Sequence, residues 1–264
     1  MITSFSNAKV KQVAAWQTKA KERKKDQVFL AEGLKMFEEA PVDWIREVYI
    51  IEEILKKQEK DSAVYKKLEA VGYETVSEEV FAKMSDTQTP QGILTVLKRP
   101  VYELETLLRV DNPLFVVLED LQDPGNLGTI LRTGEGAGVT AVLMTKNTVD
   151  IFNPKTIRAT MGSVYRVPFL YVEDIEDTIK SLHNSNIKTY AAHLKGEVYY
   201  DTFSFKEGTA FLIGNEGNGL KKSTADMADS YLKIPMEGQL ESLNAAIATS
   251  LLMYEAHRQR AAGK

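Results

Sequence analysis

The 264-residue chain contains no cysteine. That excludes disulfides, thiolate metal sites, iron–sulfur clusters and cysteine nucleophiles together. Its three histidines, His183, His193 and His257, lack metal-ligand spacing, so no metal is expected. No apolar run approaches the roughly 18 residues of a membrane span. The opening residues Met1 to Asn7 lack the basic start and apolar block of an export signal, so the cytoplasm is the expected compartment. No Gly-x-Ser-x-Gly elbow occurs, which disfavours a serine hydrolase of that kind. A basic excess is missing as well. Lys and Arg number 33 against 37 Asp and Glu, for a net charge of −4, which at first sight argues against a nucleic-acid partner.

What is present changes that first impression. With 44% apolar residues the chain can bury a core, and its length suits one large domain or two modest ones. Charge is unevenly distributed. Residues 1–25 hold Lys9, Lys11, Lys19, Lys21, Arg23, Lys24 and Lys25 against Glu22 alone, a balance of +6. The remainder carries −10, so the acidic total conceals a basic leading segment.

Within 1–98 the elements are short. The spacing of Val10, Val13, Ala14 and Trp16 predicts a helix over 6–21. Strands are expected at 28–30, 45–51 and 93–97, and helices at 33–40 and 62–71. Pro100 and Asn112-Pro113 bracket a connector, 99–112, in which Leu104, Leu107 and Leu108 could form a short helix. From Leu114 the pattern becomes buried strands (114–118, 141–144, 189–192, 210–213 and 231–234) alternating with helices near 126–136, 154–161, 174–184 and 218–228. A long helix from Ser242 to about Arg260 closes the chain. This alternation predicts an α/β domain with a mostly parallel sheet over 113–264, preceded by a small α/β domain over 1–98.

Three loops follow strands, the position where open α/β sheets bind ligands. In the first, Asp123-Pro124-Gly125 makes a turn, Asn126 can cap the next helix, and Arg132 lies nearly two turns on. Alone, this is equally a capped helix with a solvated arginine. The second, Gly214-Asn215-Glu216-Gly217-Asn218-Gly219-Leu220, allows backbone to approach a ligand closely, or is a plain strand-to-helix turn. It lacks the Gly-Lys-Ser/Thr ending of a phosphate-cradling loop. The third, Ile234-Pro235-Met236 through Ser242-Leu243-Asn244, reads as a helix start with Ser242 as N-cap and Asn244 in the first turn. The run Gly134 to Gly138 is glycine-rich, but it follows a helix and precedes a strand. A dinucleotide loop must do the opposite, which disfavours a Rossmann dehydrogenase.

Taken together and in this order, the three loops resemble the motifs of the SPOUT-class RNA 2′-O-ribose methyltransferases, the TrmH (SpoU) family. Ser6-Asn7 with Lys9, the basic cluster ending at Lys25, Phe29-Leu30-Ala31-Glu32-Gly33 and Thr89-Pro90-Gln91-Gly92-Ile93 resemble that family's small substrate-binding domain. One departure stands after Leu243-Asn244, where Ala245-Ala246 replace the family's frequent Val-Ser.

The resemblance implies a trefoil-knotted SPOUT domain, a homodimer, and methyl transfer from S-adenosylmethionine to a ribose 2′-hydroxyl of structured RNA, either ribosomal or transfer RNA, with ribosomal RNA the preferred expectation. It implies a catalytic group of Asn126, Arg132, Glu216, Ser242 and Asn244. Cofactor contacts are implied at Gly214, Asn215, Gly219, Ile234, Met236 and Leu243, and RNA contacts at Lys9, Lys21, Arg23, Lys24 and Lys25. Such a reaction needs in-line positioning rather than a covalent intermediate, and positioning alone supplies roughly 7–11 kcal/mol. A guanidinium is a poor base, so Arg132 is better cast as gripping a phosphate or stabilising the developing alkoxide. Asn126 and Asn244 would orient it, and Glu216 would hold Ser242 or Arg132. The competing reading is a catalytically inactive RNA-binding protein that has kept the SPOUT fold.

Overall fold

The computed structural model describes residues 1–239 and 242–261, and the chain divides into two compact units. Unit 1 comprises 1–100 together with 150–165; unit 2 comprises 101–149 and 166–264. Each is α/β.

In unit 1, strands β1 (Val28–Glu32), β2 (Ile45–Ile51), β3 (Glu74–Val76) and β4 (Ile93–Lys98) form a mixed sheet of order β1-β4-β2-β3. The strand β4 pairs antiparallel with both neighbours, and β2 pairs parallel with β3. The helix expected over 6–21 is two helices, Ala8–Thr18 and Ala20–Asp26, because Lys19 takes an extended conformation between them. Asn7 caps the first, accepting from Lys9 N. Val10, Val13 and Trp16 then face the sheet beside Val28, Leu30, Val80 and Leu94, as the helical spacing requires.

The excursion 150–165 adds Phe152 and Tyr165 to this unit. The Phe152 ring lies 5.1 Å from that of Phe29, and the Arg99 guanidinium sits 4.2 Å from its centroid. The Tyr165 hydroxyl donates to Met36 O at 3.1 Å.

In unit 2 the described strands are β5 (Leu114–Leu118), β6 (Ala141–Thr145), β7 (Phe169–Val172), β8 (Lys188–Ala192), β9 (Thr209–Ile213) and β10 (Ser230–Leu232). They pair in parallel throughout, in the order β10-β8-β9-β5-β6-β7. Every residue of β5 and β9 is buried, which accounts for their continuous apolar runs. Helices Pro124–Ala137, Ile175–Asn184 and Ala245–Ala261 cover the sheet.

The chain leaves β5 for β6 on one side, and β9 enters beside β5 from β8 on the other. The carboxyl ends of β5 and β9 therefore flank a topological switch point, the place where such sheets form a crevice.

Three expectations need correction. The strand β7 and the pair formed by β3 with helix Glu78–Met84 were not anticipated, since three- and four-residue strands show no usable period. The helix expected over 218–228 shrinks to one turn, Lys222–Ala225.

Candidate functional site

The site lies at the carboxyl ends of β5, β9 and β10. The second loop is a tight reversal. Asn215 and Gly219 exchange both backbone hydrogen bonds, at 3.1 and 2.9 Å, and Asn215 Oδ1 accepts from Gly217 N and Asn218 N. A Cβ on Gly214 would lie 2.0 Å from Gly219 C, and Gly219 itself has φ +68. A larger side chain is sterically refused at Gly214, and at Gly219 it is disfavoured by the left-handed backbone rather than by any neighbour.

The loop is fastened to the end of β5 from both sides. Asn215 Nδ2 donates to Asp120 O at 2.9 Å. At the loop exit, Glu119, 2% exposed, accepts from Lys221 N at 2.8 Å and from Thr224 Oγ1 at 2.7 Å. Asp120 takes a left-handed conformation at φ 56, with its carboxylate on Lys221 Nζ and Thr145 Oγ1. Burial pushes the Asp120 carboxyl up, but Lys221 and Thr145 outweigh this and hold it below its usual range.

Glu216 joins the three loops. It accepts from Gln122 N at 3.0 Å, Asp123 N at 2.9 Å and Asn126 Nδ2 at 3.0 Å. Burial raises its carboxyl and these donors lower it, with a net position below the ordinary glutamate value. Asn126 Oδ1 in turn accepts from Asn244 Nδ2 at 3.0 Å. The Asn126 amide is thereby oriented at both ends, its nitrogen on a carboxylate and its oxygen on a donor.

Two capping assignments change. Asp123, not Asn126, caps helix Pro124–Ala137 by accepting from Asn126 N. Asn244, not Ser242, caps the last helix by accepting from Ala246 N and Ile247 N. An asparagine can cap with its oxygen and still donate through its nitrogen, so Asn244 serves the helix and Asn126 together.

A cavity of about 270 Å³ opens between the second and third loops. All six expected cofactor residues, Gly214, Asn215, Gly219, Ile234, Met236 and Leu243, line it, together with Glu216 and Ser242. Its walls are largely apolar, from Ile213, Leu220, Leu232, Ile234, Met236 and Leu243, crossed by backbone. Leu240 and Glu241 of the third loop lie outside the described residues.

The structure thus brings Asn126, Glu216 and Asn244 into one network, with Ser242 at the cavity wall. Arg132 is not gathered in: it is exposed and makes no hydrogen bond or ion pair among the described residues, so neither asparagine orients it here. Glu216 holds the first loop rather than Ser242 or Arg132.

In unit 1, Lys21, Lys24 and Lys25 are exposed, and Lys9 is exposed but paired with Glu74 at 2.6 Å. Arg23 is a correction. It is 3% exposed, with Nη2 on Asp150 Oδ2 at 2.7 Å and Nη1 on Trp16 O at 2.7 Å. A guanidinium buried against a carboxylate and a helix C-terminus has no free face for a phosphate. Glu119 escapes sequence reasoning; its only signal is an acid directly after a buried strand. Among the described residues no cluster of three or more His, Cys, Asp or Glu could hold a metal, and no helix is long and apolar enough to cross a membrane.

Comparison with known proteins agrees with this geometry. The sequence model of the SpoU rRNA Methylase family matches residues 113–254, and that of the MRM3-like substrate binding domain matches residues 7–95. The chain is 35% identical over 254 residues to the 23S rRNA (guanosine(2553)-2'-O)-methyltransferase RlmP of Bacillus subtilis, covering 96% of this chain and 97% of that one. An AdoMet-bound rRNA methyltransferase from Sinorhizobium meliloti superposes with TM-score 0.86 at 32% identity, over 97% of each chain. The SpoU methyltransferase AviRb from Streptomyces viridochromogenes shares the fold, with TM-score 0.84 at 24% identity over 98% of this chain and 99% of that one. This chain belongs to the SpoU rRNA methylase family, and with it to the S-adenosylmethionine-dependent RNA 2′-O-methyltransferases.

Proposed function

We propose that this chain methylates a ribose 2′-hydroxyl of ribosomal RNA, and that the site just described does so. The observation carrying the residue roles is the Glu216–Asn126–Asn244 network, which fixes all three loops around one cavity. The cavity suits S-adenosylmethionine: apolar walls for a nucleoside, glycine backbone for close approach, and polar groups at the rim. When bound, that cofactor supplies the activated methyl group.

The chain's own residues do the rest. Gly214, Asn215, Gly219, Ile234, Met236 and Leu243 hold the nucleoside. Asn126 and Asn244 present fixed amides at the reacting end, beside Ser242, and Glu216 keeps them in place. Arg132, exposed and without a partner among the described residues, is available to grip an RNA phosphate or the developing alkoxide.

Unit 1 would deliver the RNA through Lys21, Lys24 and Lys25, with Lys9 exchanging Glu74 for phosphate. Ribosomal rather than transfer RNA is favoured by the likeness to RlmP along nearly the whole chain. A homodimer is supported by Ile247, Leu251 and Tyr254, which set an exposed apolar stripe at helical spacing on the last helix. Sedimentation as a 29.6 kDa monomer overturns that pairing. The family's trefoil knot belongs to the same proposal, and a chain trace of an experimental structure tests it.

An inactive RNA-binding role is disfavoured, because the five expected catalytic residues are all present. The deciding experiment incubates the protein with methyl-labelled S-adenosylmethionine and total RNA from a strain lacking the gene, then maps the label. Label on a ribose of ribosomal RNA supports the proposal. Label confined to transfer RNA, or to a base, refutes it.

A further inference from the structure

Among the described residues lining the cavity, Lys233 is the one Lys or Arg and Glu216 the one carboxylate. Glu216 is occupied elsewhere, by Gln122 N, Asp123 N and Asn126. The backbone of Lys233 is pinned on both sides, its N–H donating to Val198 O at 3.0 Å and its carbonyl accepting from Tyr200 N at 2.9 Å. Yet its ammonium, on a half-buried residue, makes no hydrogen bond or ion pair among the described residues.

Removing a cation partly from water without an acid partner is unfavourable, so such a group in a ligand cavity points to an anionic ligand group. The neighbouring strand end adds a second donor. His193 N donates to Leu232 O at 3.1 Å, which sets His193 beside Lys233 on the cavity wall. His193 Nδ1 accepts from Lys195 N, so in the neutral ring the proton sits on Nε2.

We infer that Lys233, assisted by His193, recognises the carboxylate of the amino-acid tail of the nucleoside cofactor. The inference rests on the reading of this cavity as the S-adenosylmethionine site. It separates the cavity into an apolar part that takes the nucleoside and a cationic corner that takes the tail. An ammonium serves the carboxylate end and would repel the sulfonium, so the corner also sets the direction in which the cofactor lies.

Isothermal titration of the full chain tests this with two ligands. S-adenosylhomocysteine carries the carboxylate; 5′-methylthioadenosine keeps the nucleoside and lacks the tail. Lys233→Met should weaken S-adenosylhomocysteine binding about tenfold or more while leaving 5′-methylthioadenosine within twofold, and Lys233→Arg should restore most of the loss. Equal weakening of both ligands, or unchanged binding of S-adenosylhomocysteine, overturns the assignment. Loss of RNA affinity with unchanged S-adenosylhomocysteine affinity also overturns it and gives the ammonium to a phosphate. If the wild-type chain binds neither ligand, the cofactor reading of the cavity falls first, and this inference with it.

Discussion

Glu119 is the buried acid that ties the second loop to the end of β5, and its removal has a size that can be worked out. Glu119→Ala deprives Lys221 N–H and the Thr224 hydroxyl of their acceptor. Thr224 is buried, so water cannot replace the lost oxygen at that end. An unsatisfied buried donor costs about 1–3 kcal/mol, and Lys221 N–H, on an exposed residue, adds about 1 kcal/mol more, so the two together cost about 2–4 kcal/mol. Lys221 Nζ adds little, being exposed and still paired with Asp120 at 2.8 Å. For a chain of this size each kcal/mol lowers Tm by about 2–4 °C, so a central loss of about 3 kcal/mol lowers it by about 6–12 °C. Glu119→Gln keeps one acceptor oxygen and turns an NH₂ toward the other donor, so its loss should be about half as large. Calorimetry of both variants reads the melting shifts, and S-adenosylhomocysteine titration reads the loop, which should bind more weakly in the same order. A Glu119→Ala protein that melts within 2 °C of wild type refutes the reasoning.

Asn126→Ala and Asn244→Ala should each reduce kcat/KM, and the double variant should fall short of the product of the two effects, because they share one hydrogen bond. A coupling below about 0.5 kcal/mol in that cycle contradicts the network. Arg132→Lys should lower RNA methylation about 10- to 100-fold with cofactor affinity unchanged, since a forked, charge-assisted contact is replaced by a point charge; full activity removes Arg132 from the mechanism. Arg23→Met should lower Tm without changing the salt slope of RNA binding, whereas Lys24→Met should reduce that slope by about one and leave Tm alone; the reverse pattern moves the docking face. Glu216 has a folded-state pKa below its unfolded value, so its ionised form stabilises the folded loop. That contribution is fully present above the unfolded value of about 4.5 and disappears as pH falls through the lower folded value. Stability below pH 5 should therefore decline less steeply in Glu216→Gln than in wild type, and identical acid profiles contradict the assignment.

How much of this was legible beforehand depends on the range of the interaction concerned. The buried strands β5, β6, β8 and β9 announced themselves because both faces are covered, leaving apolar runs without polar alternation. The three loops were legible through glycine, asparagine and glutamate directly after strands. Their meeting was not, because the order β10-β8-β9-β5-β6-β7 is a pairing across a hundred residues. Arg23 shows the limit at a single residue. In a run of lysines it reads as one more surface cation, and only its partners Trp16 O and Asp150, the latter 127 positions away, turn it inward. Ser242 and Asn244 are both good caps, and local propensity could not choose between them. The hydrogen bond to Asn126 favours Asn244.

The excursion of residues 150–165 has a consequence for how the chain is made. Unit 1 is not finished when Pro100 has been synthesised, because the partners of Phe29 and Arg23 arrive only with Phe152 and Asp150. A fragment ending at Pro100 would leave an aromatic face bare and a guanidinium without its carboxylate. During synthesis the leading part must wait for the later one, so unit 1 is completed only after β5 and the loop that follows it exist. Genetic separation of the two units at Pro100 is closed to this architecture, and domain exchange between relatives must carry 150–165 along with the leading hundred residues.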